Sequence, residues 1–345
     1  PETLKSAAIR AIREGYNQYE ISHGSAKLRE AIARKLREYN GIEADWEEDI
    51  TVTCGSTEAM TDTVIALTDP GDEVIVPEPF YENYVPATVI SGARAKYVRL
   101  NEPDFTFDEE QLKEKFSNKT KLMIINTPNN PSGRVFTKAE LNLVADLCKD
   151  YDVTAIADEI YERIVYEGYS HLSLATLPGM TERTVTISGI SKTFSVTGWR
   201  VGYAVAPRRL TEAIRKVHDY MTVCAPSAFQ RAAAEGLTMP DSYYKSLRDS
   251  YERKRRFMLD SLGGMGFKCV EPQGAYYILA DFTEFSKKSD FAFSNYLVTK
   301  AAVAVLPASS FYATKGAGKN MVRFSYCKKD QTLKDAVERL KRTLN

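Results

Sequence analysis

The most informative part of the sequence is a segment rich in Gly, Ser and Thr, Gly189-Ile190-Ser191-Lys192-Thr193-Phe194-Ser195-Val196-Thr197-Gly198-Trp199-Arg200-Val201-Gly202. It follows a strand-like run, Thr184 to Ser188, and leads into another, Arg200 to Ala206. A lysine in such a loop is most often a solvated side chain. Here Arg200 follows Lys192 after eight residues and adds a fixed cation of the type that binds phosphate. The segment therefore indicates an anion site beside a lysine amine.

On the N-terminal side of this segment, strand-like and helix-like patterns alternate. Short apolar runs typical of buried strands lie at Asp49 to Thr53, Glu73 to Pro77, Lys121 to Asn126 and Val153 to Ala157. Lys138 to Lys149 has the pattern of a helix between two of them. The alternation predicts an α/β fold with a mostly parallel sheet, covered by helices on both faces. In such a sheet, ligands bind beyond the carboxyl ends of the strands.

The pattern changes after Pro226. A long charged amphipathic stretch, Asp241 to Leu262, predicts a helix that ends at Gly263-Gly264. The following residues include strand-like runs at Ala275 to Asp281 and Met321 to Tyr326. We therefore expect a large domain over residues 1–245 and a smaller α+β domain over 246–345, joined by the helix around 241–262.

Composition excludes several classes of function. The 345 residues include 46 Lys and Arg against 46 Asp and Glu, so no excess charge attracts nucleic acid or anionic lipid. No apolar run reaches the length of a membrane span. The five cysteines are scattered, which is typical of reduced thiols in the cytoplasm, and the three histidines lie far apart. We expect a cytoplasmic protein that binds neither metal, nucleic acid nor membrane.

Two further segments are candidates for ligand binding. Gly55-Ser56-Thr57-Glu58 follows a strand and opens a helix, so its backbone N–H groups and the positive end of the helix dipole favour an anion. The alternative is an ordinary helix N-cap. Tyr81 lies in Pro79-Phe80-Tyr81-Glu82-Asn83-Tyr84 and would either cover a planar ligand or pack in the core.

Polar residues also follow other strands. Asn126-Thr127-Pro128-Asn129-Asn130-Pro131-Ser132-Gly133 forms either a tight turn or a pair of amides that bind a ligand oxygen. Asp158 ends an apolar run, where it would cap the next turn or pair with a buried cation, and Tyr161 could share its site. Arg323 lies in an apolar strand and needs an anionic partner, either a structural carboxylate or that of a substrate.

In this order, the segments resemble class I and II pyridoxal-phosphate (PLP) aminotransferases, which have the fold type I architecture, over almost the whole chain. The resemblance rests on the segment from Gly189 to Gly202, Gly55-Ser56-Thr57, Asn130-Pro131-Ser132-Gly133, Asp158-x-x-Tyr161 and Arg323. Asn17-Gln18-Tyr19, followed by Gly24 and Leu28-Arg29, points to the branch with kynurenine, glutamine–phenylpyruvate, methionine and broad aspartate or aromatic aminotransferases.

The resemblance implies that Lys192 forms a Schiff base with PLP and, once the substrate displaces it, serves as general acid and base. Asp158 would pair with the pyridinium nitrogen, which keeps the ring an electron sink. Tyr161 and Asn130 would donate hydrogen bonds to the phenolic oxygen of the ring. Tyr81 would stack on the ring.

The resemblance also implies a phosphate site at Gly55-Ser56-Thr57 and Arg200. Many family members have a serine three residues before the lysine that contributes a hydroxyl to the phosphate. Here Gly189 stands at that position. Ser188 or Ser191 is then expected to supply the hydroxyl, and Ser191 is included among the candidate cofactor-binding residues.

Three other expectations follow from the family. Arg323 would clamp the substrate α-carboxylate, with Asn126 nearby. Tyr19 resembles the tyrosine that reaches the phosphate of the neighbouring subunit, which implies a homodimer with composite active sites. The family carries an N-terminal segment before the point where Pro1 begins, and we expect this segment to be missing here.

The predicted function is transfer of the amino group of an L-amino acid, of the aspartate, aromatic, methionine or glutamine type, to a 2-oxo acid. A PLP-dependent β-lyase that cleaves cysteine S-conjugates would use the same Lys192, Asp158 and Arg323. Only the release of pyruvate and ammonia would distinguish it. A non-catalytic PLP-binding regulator is a third reading, but such proteins carry a DNA-binding module and the sequence has no helix-turn-helix or basic arm.

Overall fold

The computed structural model describes residues 1–344 and contains one large, mostly parallel sheet. Its strands are β1 (Ile50–Thr53), β2 (Glu73–Glu78), β3 (Arg94–Arg99), β4 (Thr120–Asn126), β5 (Thr154–Asp158), β6 (Thr184–Gly189) and β7 (Gly202–Val205). Their spatial order is β1-β7-β6-β5-β4-β2-β3. Neighbours from β6 to β3 are parallel, whereas β7 is antiparallel to both β6 and β1. The predicted sheet is confirmed.

Helices cover both faces of this sheet. They are α1 (Glu2–Arg13), α2 (Ala26–Lys35, extended by a π-helical turn over Leu36–Asn40), α3 (Ser56–Leu67), α4 (Tyr84–Ile90), α5 (Glu109–Lys115), α6 (Lys138–Asp150), α7 (Arg208–Met221) and α8 (Ser227–Gly236). Successive strand residues point to opposite faces. Accordingly Val74 and Val76 pack in a cluster with α3, α4 and α7, whereas Ile75 packs in one with α5 and α6. The all-apolar strands follow from this two-sided burial.

A second, antiparallel sheet lies in the C-terminal third of the chain. It consists of β8 (Lys268–Cys269), β9 (Tyr277–Asp281), β10 (Leu306–Pro307) and β11 (Met321–Ser325), in the order β10-β11-β9-β8. Its helices are α9 (Asp241–Met265), α10 (Asp290–Tyr296) and α11 (Asp330–Leu344). Their apolar residues share one cluster with Ile160, Tyr161 and Ile164, which follow β5. The second sheet therefore packs beside the carboxyl end of β5.

The helix α9 is longer than the sequence predicts. It does not stop at Gly263-Gly264 but continues to Met265. A glycine inside a helix costs only about 1 kcal/mol, so two glycines weaken a long helix without ending it. The end is set by Gly266, which has a φ of 110° and donates a backbone hydrogen bond of 3.0 Å to Gly263. The predicted boundary near residue 262 was wrong for this reason.

None of the described helices combines the length and the apolar character that crossing a membrane requires.

Candidate active site

A cavity of about 240 Å³ lies where β4 and β5 end, and most of the predicted site residues line it. Asn126 is the last residue of β4 and Asp158 the last residue of β5. The predicted residues on its wall are Ser56, Thr57, Tyr81, Asn126, Asn130, Asp158, Tyr161, Ser191, Lys192, Arg200 and Arg323. Four lining residues were not predicted: Glu82, Tyr84, Ile160 and Tyr277. Residues far apart in sequence thus meet at the carboxyl edge of the sheet.

Asp158 is a buried carboxylate held by two hydrogen bonds. The hydroxyl of Tyr84 donates to Oδ2 over 2.7 Å, and the N–H of Ile160 donates to Oδ1 over 3.2 Å. Burial raises the pKa of Asp158 to about 6, against the lowering effect of these hydrogen bonds and of the Lys192 charge. A buried carboxylate that can still ionise is able to form an ion pair with a cationic ring nitrogen.

Lys192 lies on the same cavity without an ionic partner. Among the described residues, no carboxylate lies within 4 Å of Nζ and no acceptor takes a hydrogen bond from it. Nζ stands 5.9 Å from the centre of the Tyr161 ring. Burial lowers the pKa of Lys192, while nearby Cys327 and Asp158 act in the opposite direction. A lowered pKa makes more of the amine available as a nucleophile and base near neutral pH.

Two glycines shape the opening of α3. Gly55, the residue before the helix, has a φ of 83°, and a Cβ there would collide with the Arg200 guanidinium. A Cβ on Gly202 would collide with the backbone of Gly55 and Ser56. Arg200 donates to the carbonyl of Cys54 over 3.3 Å, which fixes its cation beside the helix N-terminus. The arrangement suits an anion such as phosphate.

The two serines near Lys192 have different surroundings. The hydroxyl of Ser188 donates to Glu162 Oε1 over 3.0 Å, within a buried network on another side of the segment. Ser191 is buried and lines the cavity. Gly189 packs against Gly202, so a Cβ at this position would collide with the Cα of Gly202 and the carbonyl of Val201. Of these serines, Ser191 has the geometry for a cofactor contact.

Arg323 is a cation without a carboxylate partner among residues 1–344. Its Nη1 donates to Asn130 Oδ1 over 2.6 Å, and its Nε is buried without an acceptor among the described groups. The guanidinium carbon lies 4.2 Å from the centre of the Tyr277 ring. Because the structural partner is an amide and not an acid, the charge remains available for an anionic ligand.

Tyr277 also connects to Tyr161. The two hydroxyl oxygens lie 2.8 Å apart, and both side chains are buried. Burial raises the pKa of Tyr161, so its hydroxyl is protonated and can donate a hydrogen bond. Tyr277 could not be predicted from the sequence, because its place in the cavity depends on the antiparallel pairing of β9 with β11.

The Asn126–Gly133 segment serves as a turn and as part of the site. Asn126 Nδ2 donates to the Asp158 carbonyl over 2.9 Å, and its Oδ1 accepts from the Asn130 N–H over 2.7 Å. Asn126 therefore links the end of β5 to the turn that follows β4. Its contact with substrate stays a prediction. The segment forms the predicted turn, and Asn130 also accepts a hydrogen bond from Arg323, while binding of a ligand oxygen by these amides stays a prediction.

The segment that contains Tyr81 contributes a second aromatic residue. Tyr81 is half-buried on the cavity wall, with its ring 5.9 Å from that of Tyr84 and nearly perpendicular to it. Tyr84 was missed as a site residue, although it lies three positions after Tyr81 and its N–H donates to the Tyr81 carbonyl over 3.2 Å in the turn that precedes α4.

Tyr19 does not line the cavity. Its side chain is 80% exposed, as expected for a residue that serves a neighbouring subunit rather than its own. Exposed apolar side chains surround it in the sequence, namely Ile9, Ile12, Tyr16 and Ile21.

Two groups of acidic residues with a histidine lie outside the cavity. They are Glu58 with Asp62 and His218, and Glu159 with Glu162 and His171, and in each group the potential ligand atoms lie within 4.8 Å of one another. His218 Nδ1 is 3.1 Å from Glu58, and His171 Nε2 is 3.0 Å from Glu159. These histidines thus already have carboxylate partners, and the prediction that no metal is bound stays a prediction.

Comparison with known proteins agrees with this geometry. The model of the family "Aminotransferase class I and II" matches residues 1–340. The chain is 35% identical to aromatic-amino-acid aminotransferase 2 of Thermococcus litoralis, over 100% of this chain and 88% of that protein. It is 36% identical to methionine aminotransferase of Escherichia coli, over 99% and 88% of the two chains.

The structural comparison gives the same result. The N-succinyldiaminopimelate aminotransferase of Mycobacterium tuberculosis superimposes with a TM-score of 0.97 at 36% identity, covering 99% of this chain and 90% of that one. The chain therefore belongs to the class I and II aminotransferase family and is a PLP-dependent enzyme that transfers amino groups between amino acids and 2-oxo acids.

Proposed function

We propose that the enzyme transfers the amino group of a neutral L-amino acid, of the aromatic, methionine or glutamine type, to a 2-oxo acid. The observation that carries this proposal is the presence of two cations without acidic partners, Lys192 and Arg323, in one cavity with the buried carboxylate of Asp158. Lys192 can act where the amino group is transferred, and Arg323 can bind the α-carboxylate of the same substrate.

The residues present fit PLP. Asp158 would pair with the ring nitrogen. Gly55 and Gly202 let Arg200 and the backbone of β7 lie close to the opening of α3, where the phosphate would bind. When bound, PLP supplies an electron sink that stabilises negative charge on the substrate Cα. Asn130 and Tyr161 would hold the phenolic oxygen, Tyr81 would lie on the ring, and Ser191 would add a hydroxyl to the phosphate site.

The side chains around the cavity would then have separate roles in the reaction. Arg323 binds the substrate carboxylate through its guanidinium and is held in place by Asn130 and Tyr277. Lys192 holds the cofactor through Nζ in the resting enzyme, and its freed amine moves a proton at the substrate Cα. Tyr84 and Asn126 hold Asp158 through hydrogen bonds to its carboxylate and its carbonyl, and Asn126 would also lie near the substrate.

The preference for neutral substrates rests on charge. Among the described residues on the cavity wall, the cations are Lys192, Arg200 and Arg323, and each already has a task. The second carboxylate of aspartate would meet Glu82 on this wall instead of a further cation. The relatives include an aspartate aminotransferase as well as aromatic and methionine aminotransferases, so the proposed preference rests on the charges of the cavity wall alone.

We further propose a cytoplasmic homodimer in which Tyr19 reaches the phosphate site of the neighbouring subunit. The exposed Tyr19 and its exposed apolar neighbours support a dimer. The five unpaired cysteines support a cytoplasmic location, where thiols stay reduced. We keep the division into domains over residues 1–245 and 246–345 as a proposal, since α9 begins just before that boundary.

Steady-state kinetics with a panel of donors tests the proposed specificity. Phenylalanine, methionine, glutamine and aspartate are compared at saturating 2-oxoglutarate. We expect kcat/KM for phenylalanine or methionine to exceed that for aspartate by at least about tenfold, the scale of one unpaired charge in a binding site. Equal or higher kcat/KM for aspartate would contradict the preference while leaving transamination intact.

A further inference from the structure

A second cavity, of about 410 Å³, lies between the segment after β5 and the first turns of α9. It shares no lining residue with the active-site cavity. Its walls carry charged or titratable side chains, namely Glu162, Arg163, His171, Asp241, Lys245 and Arg248. The transamination chemistry uses none of these side chains.

Basic side chains converge on this cavity from two elements. Lys245 and Arg248 are three positions apart on α9 and therefore lie on one face of the helix. Arg163 comes from the opposite wall, where its guanidinium carbon lies 3.3 Å from the centre of the Tyr39 ring and 4.1 Å from that of Tyr244. The stacking holds the planar cation in a fixed orientation and leaves its N–H edge free to donate.

Part of this positive charge is not neutralised by the protein. Within the described part of the chain, neither Arg163 nor Lys245 has a carboxylate within 4 Å or donates a side-chain hydrogen bond. Of the two acids on the wall, Glu162 forms a buried ion pair with Lys35, which leaves Asp241. Arg248 lies 3.3 Å from its neighbour Asp249, so the cations without an acidic partner are Arg163 and Lys245, and against Asp241 they leave the lining with an excess of one positive charge.

His171 adds a buried polar atom on the same wall. Its side chain is 4% exposed, and Nε2 lies 3.0 Å from Glu159 Oε2. Its Nδ1 is buried and has no hydrogen-bond partner among the described residues. Burial lowers the pKa of His171, but the Glu159 carboxylate outweighs this effect and raises it. In the protonated ring, Nδ1–H is a buried donor that lacks an acceptor.

We propose that this cavity is a binding site for a small organic anion, with its carboxylate or phosphate group bound by Arg163, Lys245 and Arg248. The fixed guanidinium suits the paired oxygens of either group, and Tyr169 and Tyr244 offer apolar surface to the body of the ligand. The bound anion links the segment that follows Asp158 to α9, the helix that leads to the second sheet.

Calorimetric titration of the PLP-loaded protein tests the proposal without relying on turnover. Inorganic phosphate, phenyl phosphate and succinate are the probes. The test variant is Lys245→Met/Arg248→Met, since both side chains are exposed and their removal leaves the core intact. Arg253→Met/Lys334→Met is the matched control, because it removes the same two types of exposed charge away from this cavity.

We expect at least one probe to bind the unaltered protein and the control variant equally, and to bind the test variant at least about tenfold more weakly. Arg163→Gln should weaken the same probe further. A preference for phosphates or for succinate identifies the anionic group. If no probe binds, or if the test variant binds as well as the control, the proposal is wrong. That result would leave the transaminase assignment untouched, because succinate held only by Arg323 would bind all these variants alike.

Discussion

Tyr84→Phe tests the environment of Asp158 most directly. The substitution removes the hydroxyl that donates a 2.7 Å hydrogen bond to Asp158 Oδ2 and leaves the buried ring in place. A hydrogen bond to a charged group contributes about 1.5–3 kcal/mol, which corresponds to about one to two pKa units. The pKa of Asp158 is already raised to about 6 by burial, so in the variant much of this carboxyl is protonated at pH 7.

A protonated Asp158 pairs poorly with a cationic ring nitrogen, so we expect PLP to bind Tyr84→Phe about 10- to 100-fold more weakly. Equilibrium titration of the cofactor-free protein with PLP, followed by absorbance, measures this change. Tyr81→Phe is the control, because the hydroxyl it removes has no hydrogen-bond partner among the described residues. Equal PLP affinity of the two variants would refute the role assigned to Tyr84.

Three further substitutions follow from the structure. Lys192→Ala should lower the transamination rate by at least about 10²–10⁴-fold while PLP still binds through its phosphate, as measured by initial rates and equilibrium dialysis. Gly202→Ala should lower the free energy of unfolding by about 1–3 kcal/mol and weaken PLP binding, because its Cβ collides with the backbone of Gly55; Gly198→Ala, where a Cβ meets nothing within 4 Å, should do neither. His218→Asn should change how stability depends on pH. The pKa of His218 is raised from 6.5 to about 10 by Asp62 and Glu58, against the effect of burial, so its stabilisation is complete below pH 6.5 and is lost as the pH rises through about 10. In chemical unfolding, the free energy of unfolding of the parent protein should exceed that of the variant by on the order of 3–5 kcal/mol at pH 6, and this difference should become smaller by pH 10. A difference that does not change with pH would contradict the pairing of a charged His218 with the two carboxylates.

The sequence allowed the site to be predicted where a functional residue ends a strand. Asp158 and Asn126 stand at the carboxyl ends of apolar runs, and parallel strands bring such ends to one edge. Lys192 and Arg200 were found because their segment has an unusual composition between two strands. The family resemblance then gave each residue a role that no single motif could define.

Residues whose position depends on tertiary packing were not predicted. Tyr277 reaches Tyr161 only because β9 pairs with β11, and no local pattern encodes that pairing. β3 was missed because its alternation of charged and apolar residues, Arg94-Ala95-Lys96-Tyr97-Val98-Arg99, is that of an edge strand and not of a buried one. Arg163 likewise gains significance only from the rings that α9 and the end of α2 place around it.

We propose that Lys192, Asp158 and Arg323 form one site that exchanges amino groups through PLP. The visible absorption spectrum of the PLP-loaded protein tests it, recorded before and after addition of L-phenylalanine or L-methionine and again after a 2-oxo acid. We predict an absorption band of bound cofactor that bleaches with the amino acid and returns with the 2-oxo acid, without release of pyruvate or ammonia from a cysteine S-conjugate. A band that never forms, or that no amino acid alters, would contradict the claim.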